Sequence, residues 1–132
     1  GEITLSRNLR SEGLKSTNRF SKTTDIETFF GVKAMSKLTI VATLEATEGS
    51  FENLLALIKQ HAKRCLKREP GCLHFDIMVP REQGDQIILY EIYSDQAALD
   101  DHLTTDHMER FRKERTPYFK SAQASTCNLL EY

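Results

Sequence analysis

The residues best suited to chemistry lie between positions 69 and 107, and the chemistry that they suit is proton transfer. His102 falls on the apolar stripe of a predicted helix, where a buried neutral imidazole can accept a proton near neutral pH. Glu91 lies in a predicted strand with apolar neighbours, where a buried carboxylate needs a partner. We predict His102 as a general base and Glu91 as the group that orients the base or the substrate. The alternatives for His102 are a core histidine bonded to a backbone carbonyl and a helix-end histidine that faces water. The alternative for Glu91 is a structural salt bridge to Arg64 or Arg112.

Four further side chains are predicted to bind a substrate beside this pair. They are two aromatic residues of predicted strands and two histidines of predicted helices: Phe75, Tyr93, His61 and His107. The aromatic rings are either core residues or a surface against which a planar substrate stacks. His61 shares the apolar face of the first predicted helix, whereas His107 begins a helical segment and could equally face solvent.

Composition restricts the class of protein. The chain has 132 residues, with 18 basic and 19 acidic side chains and a net charge of −1. This length fits one domain, and the balanced charge provides no field that would attract nucleic acid. No apolar run approaches the roughly 20 residues of a membrane helix, and no secretory signal is recognisable. We expect a small molecule as the partner, and neither nucleic acid nor membrane.

The cysteines and histidines predict neither disulfides nor a bound cofactor. Cys65, Cys72 and Cys127 are odd in number and fit a reducing compartment, so we expect a cytoplasmic protein. The histidines are spread over helices and a strand without the spacing of a metal site. The sequence also lacks a glycine-rich phosphate loop and a dinucleotide fingerprint. We therefore predict no metal and no cofactor.

Residues 1–34 differ from the rest of the chain because they are rich in Ser, Thr, Arg and Lys. They are interpreted as an extension, a transit-like presequence or an added upstream segment. Within them, residues 25–30 are the best candidate for a short helical turn. Met35 is followed almost at once by a predicted strand and resembles a native start, so the domain is placed at residues 35–132.

Hydrophobic periodicity divides residues 38–131 into six elements. Alternation with a period of two predicts strands at 38–45, 72–79, 87–93 and 125–131. Spacings of three and four predict a helix that starts at the cap Ser50 and stops before Pro70. A second helix starts at Ser94 or Asp95 and is interrupted at 104–106. There Asp106 and Glu109, three residues later, have the form of a new capping box.

The order strand, helix, strand, strand, helix, strand is that of the ferredoxin-like split βαβ unit, an α+β fold. Such a unit covers only one face of its antiparallel sheet with helices. The third strand is apolar on both faces, which indicates that its second face is also covered. A second copy of the sheet is the simplest cover, so we predict a homodimer.

Three motifs in this region resemble the antibiotic biosynthesis monooxygenase superfamily. They are Glu-Pro-Gly-Cys-Leu-x-Phe from position 69, Tyr-Glu-x-Tyr-x-Asp-x-x-Ala-x-x-x-His from position 90, and Thr-x-x-His from position 104. The resemblance spans residues 38–131. It implies a dimeric α+β barrel in which each protomer holds a pocket between its sheet and its helices.

Members of this superfamily include cofactor-independent quinol and polyketide oxygenases, haem-degrading enzymes, and an isomerase of a phosphorylated autoinducer breakdown product. The haem-degrading members use an asparagine on the first strand and a tryptophan on the third. This chain has Val-Ala-Thr at 41–43 and Tyr93 at those places, which speaks against haem degradation. The motifs Tyr-Glu-x-Tyr and Thr-Thr-x-His resemble those of the isomerase more closely than those of the haem-degrading members.

The leading hypothesis is a cofactor-independent oxygenase of a quinol or polyphenol, because a pocket base that forms the reactive anion and an apolar cavity are sufficient for this reaction. The first alternative is an isomerase of a small phosphorylated dicarbonyl, for which Lys63 or Arg64 would hold the phosphate. The second is a non-catalytic dimer that binds a ligand. The character of the pocket distinguishes these three hypotheses. It should be apolar and aromatic in the oxygenase, polar and basic in the isomerase, and filled by side chains in the non-catalytic dimer.

Overall fold

The structure, a computed structural model, describes residues 36–82 and 84–132. The predicted extension at residues 1–34 and the helical turn at 25–30 lie outside the described residues. The described part forms four strands, three α-helices and one 3₁₀ turn. In chain order they are β1 (Leu38–Ala46), α1 (Phe51–Arg68), β2 (Cys72–Met78), β3 (Gln86–Tyr93), α2 (Gln96–Leu103), α3 (Asp106–Arg115), the 3₁₀ turn Thr116–Tyr118 and β4 (Phe119–Asn128).

The four strands form one antiparallel sheet in the order β2-β3-β1-β4. The two central strands, β1 and β3, pair along their length, with Leu38 opposite Tyr93 and Glu45 opposite Gln86. This arrangement confirms the predicted ferredoxin-like α+β fold. It brings the end of β3 beside the start of β2, with Cys72 opposite Tyr93, at the end of the sheet where the candidate site lies.

The core lies between the helices and one face of the sheet. Side chains of β1 and β3 alternate, so that Ile40, Ala42 and Leu44 are buried together with Ile87 and Leu89. On α1 the buried side chains follow helical spacing and include Leu54, Ile58, His61, Ala62 and Cys65. The period of two predicted for β1 and the helical spacing predicted for α1 thus correspond to these buried faces.

The junction between α1 and β2 is held close to α2 by a glycine. A Cβ added to Gly71 would lie 2.4 Å from the Cβ of Ala98 and 3.1 Å from the Oγ of Ser94. The carbonyl of Gly71 also accepts a hydrogen bond from the Ser94 N–H at 2.9 Å. Only a residue without a side chain permits this approach, which brings the last turn of α1 against the start of α2.

Three local predictions are wrong. Asp106 is not the cap of α3, because Thr105 occupies that position and its hydroxyl accepts from the Met108 N–H at 3.2 Å. The last strand spans Phe119–Asn128 rather than 125–131. Alternation in the strand predicted at 72–79 would place Leu73 on the same face as Phe75, but the Leu73 side chain is 45% exposed, since a register shift between Cys72 and His74 turns Cys72 inward instead.

The outer face of the sheet carries no helix among the described residues. Val41 is 39% exposed on this face and pairs with Tyr90. Neighbouring positions on β3 and β2 are Ile88, Ile92 and Met78, the last 44% exposed. The face is therefore partly apolar, as expected of a surface that a second copy covers, and the dimer stays a prediction. No helix of the described ranges is long and apolar enough to span a membrane.

Candidate active site

The site is organised around the carboxylate of Glu69, which two histidines contact. Nδ1 of His102 lies 3.1 Å from both carboxylate oxygens of Glu69, and Nε2 of His107 contacts one of them. All three side chains are buried. An ionised carboxylate only accepts hydrogen bonds, so each imidazole donates through the nitrogen that faces Glu69. This arrangement leaves Nε2 of His102 without a proton when the ring is neutral.

Three elements bring these groups together. Glu69 is the C-cap residue of α1, where its N–H donates to the Cys65 carbonyl at 3.0 Å, and Pro70 prevents the helix from continuing. His102 lies in the last turn of α2, which starts at the cap Asp95. His107 lies in the first turn of α3. The short break between α2 and α3 thus turns both histidines towards one carboxylate.

A second carboxylate lies on the other side of His102. Nε2 of His102 is 3.8 Å from Oε1 of Glu91, and this oxygen accepts a hydrogen bond from the Tyr93 hydroxyl at 2.5 Å. Glu91 and Tyr93 are two residues apart on β3, so their side chains lie on the same face of the sheet. His102 is therefore positioned between Glu69 and Glu91.

The two carboxyl groups have opposite pKa shifts. Burial alone would raise the pKa of Glu69, but the hydrogen bond and charge of His102, with bonds from His107 and Cys65, hold it below its usual value. Burial raises the pKa of Glu91, and this effect outweighs the favourable contributions of His102 and Tyr93. Glu69 is thus the ionised member, whereas Glu91 takes up a proton more readily. Burial, with the Glu91 charge, also raises the pKa of Tyr93, which keeps its hydroxyl a donor.

His61 extends the cluster towards the cavity. Its ring stacks on Phe111 with centroids 4.3 Å apart, and its Nε2 lies 3.4 Å from Sγ of Cys65. Burial, with the charges of His102 and His107, lowers the pKa of His61 to about 3, so the ring is neutral at physiological pH. Its Nδ1 is buried without a hydrogen-bond partner among the described residues. This nitrogen is available to a ligand.

A small, mainly apolar cavity of about 30 Å³, partly open to solvent, lies beside His102. Its polar lining is limited to His61, Glu91, His102 and Arg115. Two aromatic rings and seven aliphatic or thioether side chains provide the remainder: Phe75, Phe111, Ile40, Ala42, Leu44, Leu89, Leu99, Leu103 and Met108. The guanidinium of Arg115 lies 4.1 Å from the ring centroid of Phe119 and is 1% exposed, which places a buried positive charge at the cavity.

The structure separates the six predicted site residues into two groups. Four line the cavity: His102, Glu91, Phe75 and His61. The other two lie behind them, because Tyr93 bonds to Glu91 and His107 bonds to Glu69. Neither is placed to stack against or hold a substrate directly, and the solvent-facing alternative for His107 is wrong because this side chain is 5% exposed. Lys63 and Arg64 are not among the residues that line this cavity.

Sequence reasoning overlooked two residues, Glu69 and Arg115. Glu69 was recognised only as the start of a motif, although it follows His61 and Cys65 at intervals of eight and four along one helical face. That spacing was a usable signal. Arg115 has no comparable signal, because nothing in its local pattern distinguishes a buried arginine at a helix end from an exposed one.

Comparisons with known proteins agree with this architecture. PA3566 from Pseudomonas aeruginosa superposes with a TM-score of 0.68 at 25% identity, over 75% of this chain and 99% of that one. SO0527 from Shewanella oneidensis superposes with a TM-score of 0.66 at 24% identity, over 72% of this chain and 92% of that one. A candidate antibiotic biosynthesis monooxygenase from Caulobacter crescentus CB15 superposes with a TM-score of 0.71 at 18% identity. The superposition covers 81% of this chain and 99% of that one. The last two show similarity of fold alone.

No curated protein matches the chain in sequence. The sequence profile described as "Antibiotic biosynthesis monooxygenase" matches residues 37–114, which extend from the start of β1 to the end of α3 and include both carboxylates and all the histidines of the cluster. The chain belongs to the antibiotic biosynthesis monooxygenase family.

Proposed function

We propose that this chain is a monooxygenase that hydroxylates a small quinol or polyphenol without a bound cofactor, using His102 as the general base. The observation that supports the proposal most directly is the placement of His102. Glu69 accepts from its Nδ1, which leaves Nε2 as the acceptor on the side of Glu91 and the apolar cavity. A neutral imidazole with this tautomer is equipped to take a proton from a phenolic hydroxyl.

The first step is transfer of the quinol O–H proton to Nε2 of His102. The resulting imidazolium is stabilised by the ionised Glu69 carboxylate on its other nitrogen. The quinol anion is the stronger reductant, and it passes one electron to dioxygen. The cavity favours this step because few polar groups line it, and the buried positive charge of Arg115 stabilises the anion.

The remaining steps balance without an external reductant. The semiquinone and superoxide combine at a ring carbon that carries hydrogen, and the imidazolium returns its proton to the peroxide. Loss of water, with the hydrogen of that ring carbon, breaks the O–O bond. Overall, one quinol and one O₂ give one hydroxyquinone and one H₂O. Two of the four electrons come from oxidation of quinol to quinone and two from conversion of C–H to C–OH.

An isomerase of a small phosphorylated dicarbonyl is the second candidate. The same base could move a proton beside a carbonyl, and Arg115 is the observation that favours an anionic substrate. A single cation in a mainly apolar cavity suits a phenolate better than a phosphate, which usually binds several donors. We therefore rank the oxygenase first. The non-catalytic dimer is the outcome if neither reaction is found.

The test is oxygen consumption with a panel of benzo- and naphthohydroquinones, with and without a metal chelator. We expect one O₂ consumed per quinol, and mass spectrometry should find one ¹⁸O atom from ¹⁸O₂ in the hydroxyquinone. The rate without protein corrects for autoxidation. His102→Ala should reduce turnover about 10²–10⁴-fold, the usual contribution of a positioned base. Uncoupled formation of hydrogen peroxide, or an equal rate in His102→Ala, would contradict the proposal.

A further inference from the structure

Three different kinds of metal-binding side chain meet on the Nδ1 side of His102. The Sγ of Cys65, a carboxylate oxygen of Glu69 and Nδ1 of His102 all lie within 4.8 Å of one another, and all three residues are buried. Nδ1 is 3.1 Å from the Glu69 oxygens and 4.0 Å from Sγ. The mechanism proposed above uses Glu69 and His102 but leaves Cys65 without a role.

The fold creates this set from positions that are distant in sequence. Cys65 and Glu69 are four residues apart at the end of α1, so they lie on one face of the helix. His102 comes from α2, 33 residues beyond Glu69. The expectation of no metal site considered the spacing of the cysteines and of the histidines along the chain. It did not consider a mixed set in which a cysteine, a glutamate and a histidine meet.

The distances and charges suit a borderline divalent cation such as Zn²⁺. Bonds of about 2.0–2.3 Å from Zn²⁺ to nitrogen, oxygen and sulfur place neighbouring ligand atoms roughly 3–4 Å apart in a tetrahedron. One thiolate and one carboxylate together neutralise a doubly charged ion, which reduces the cost of burying it. The thiolate and imidazole select against Mg²⁺ and Ca²⁺, which prefer oxygen ligands.

A further histidine lies next to this set without belonging to it, because its ring nitrogens are not within 4.8 Å of all three ligand atoms. Nε2 of His61 lies 3.4 Å from the Cys65 sulfur. Cys65, Glu69 and His102 thus supply three ligands, and a water molecule can take the fourth position of a tetrahedral zinc ion. Three or four ligands of mixed type is the usual number for zinc in proteins.

We propose that Cys65, Glu69 and His102 bind Zn²⁺ or a similar cation, and that the bound ion inhibits the enzyme. On binding, the Cys65 thiol releases its proton to solvent, and the His102 proton moves from Nδ1 to Nε2. A neutral imidazole carries one proton, so metal on Nδ1 leaves Nε2 unable to accept another. The inhibition rests on the proposed function, whereas binding of the metal does not.

The binding test uses the full chain, freed of metal with chelator, and Co²⁺ alone as a spectroscopic probe. We expect one Co²⁺ per chain, with visible bands of a tetrahedral site and a near-ultraviolet thiolate-to-cobalt charge-transfer band. Zn²⁺ should displace the cobalt. Cys65→Ser should abolish the charge-transfer band and weaken binding roughly 100-fold, as expected when one of three strong protein ligands is lost. Circular dichroism and a urea midpoint establish that the metal-free variant is folded.

Cys72→Ser and Cys127→Ser are the matched controls, because each removes another thiol and both should keep the band. Absence of a thiolate band at saturating Co²⁺, or an unchanged band in Cys65→Ser, overturns the site. The second measurement compares quinol turnover with Zn²⁺ to the metal-free rate of the same protein. We expect loss of at least nine-tenths of wild-type activity at a Zn²⁺ concentration that displaces all of the bound cobalt. Full turnover at full occupancy overturns the inhibitory role and leaves the binding result intact.

Discussion

Glu69 and His102 form a buried carboxylate–imidazole pair, with Nδ1 3.1 Å from the carboxylate, although 33 residues separate them along the chain. The pair joins the C-cap residue of one helix to the last turn of another. It determines which nitrogen of His102 carries the proton, and therefore which nitrogen is left to react. The predictions below follow from this pair and from the elements that support it.

Replacing Glu69 with Gln should lower kcat about 10- to 100-fold with little change in KM. The amide no longer stabilises the imidazolium that forms in the transition state, and a hydrogen bond to a charged group contributes about 1.5–3 kcal/mol. Steady-state oxygen consumption with a confirmed quinol is the measurement. Glu69→Asp keeps the charge and should recover part of the rate. An equal loss in both variants would point to a structural role alone.

Replacing Tyr93 with Phe should destabilise the chain by about 1–3 kcal/mol, because the buried Glu91 carboxyl loses the hydroxyl that bonds to it at 2.5 Å. Urea unfolding followed by circular dichroism measures the change. Tyr118→Phe, which removes a hydroxyl from a partly exposed ring outside the cluster, should stay within about 0.5 kcal/mol. A Tyr93→Phe variant as stable as this control would refute the role given to the hydroxyl.

The outer face of the sheet is predicted to be the dimer interface. A carboxylate introduced by Val41→Glu should weaken association at least tenfold, because a charge buried without a partner is costly. Light scattering over a concentration series reports the mass. Leu66→Glu is the control, since Leu66 is 47% exposed on α1 and lies away from this face. A wild-type chain that is a folded monomer at micromolar concentration would refute the prediction.

Residues 1–34 are predicted to be dispensable. A chain that begins at Met35 should keep the unfolding midpoint, the mass in solution and any turnover of the complete chain, because the family profile starts at residue 37 and the core is built from β1 onwards. The same three measurements on both chains test this. Loss of association or of stability in the shortened chain would assign the segment a structural role.

Much of the fold was determined by the sequence alone. Alternation in β1 and helical spacing in α1 depend on neighbours within a few residues, and such patterns directly indicate which face is buried. The order of the elements then restricted the topology to the split βαβ unit, and the motifs indicated the family. The burial of His102 and Glu91 followed from the same reasoning, since each lies on an otherwise apolar face.

Only the tertiary structure decided which groups are partners. Glu69 meets His102 and His107 because the α1–β2 junction at Gly71 lies against α2, which depends on contacts between residues far apart in sequence. The inward position of Cys72 depends on a register shift between two strands, and period two cannot indicate such a shift. Local periodicity specifies the direction of a side chain, whereas its hydrogen-bond partners depend on how the elements pack. For this reason the sequence indicated that His102 is buried but not that Glu69 is the carboxylate that contacts it.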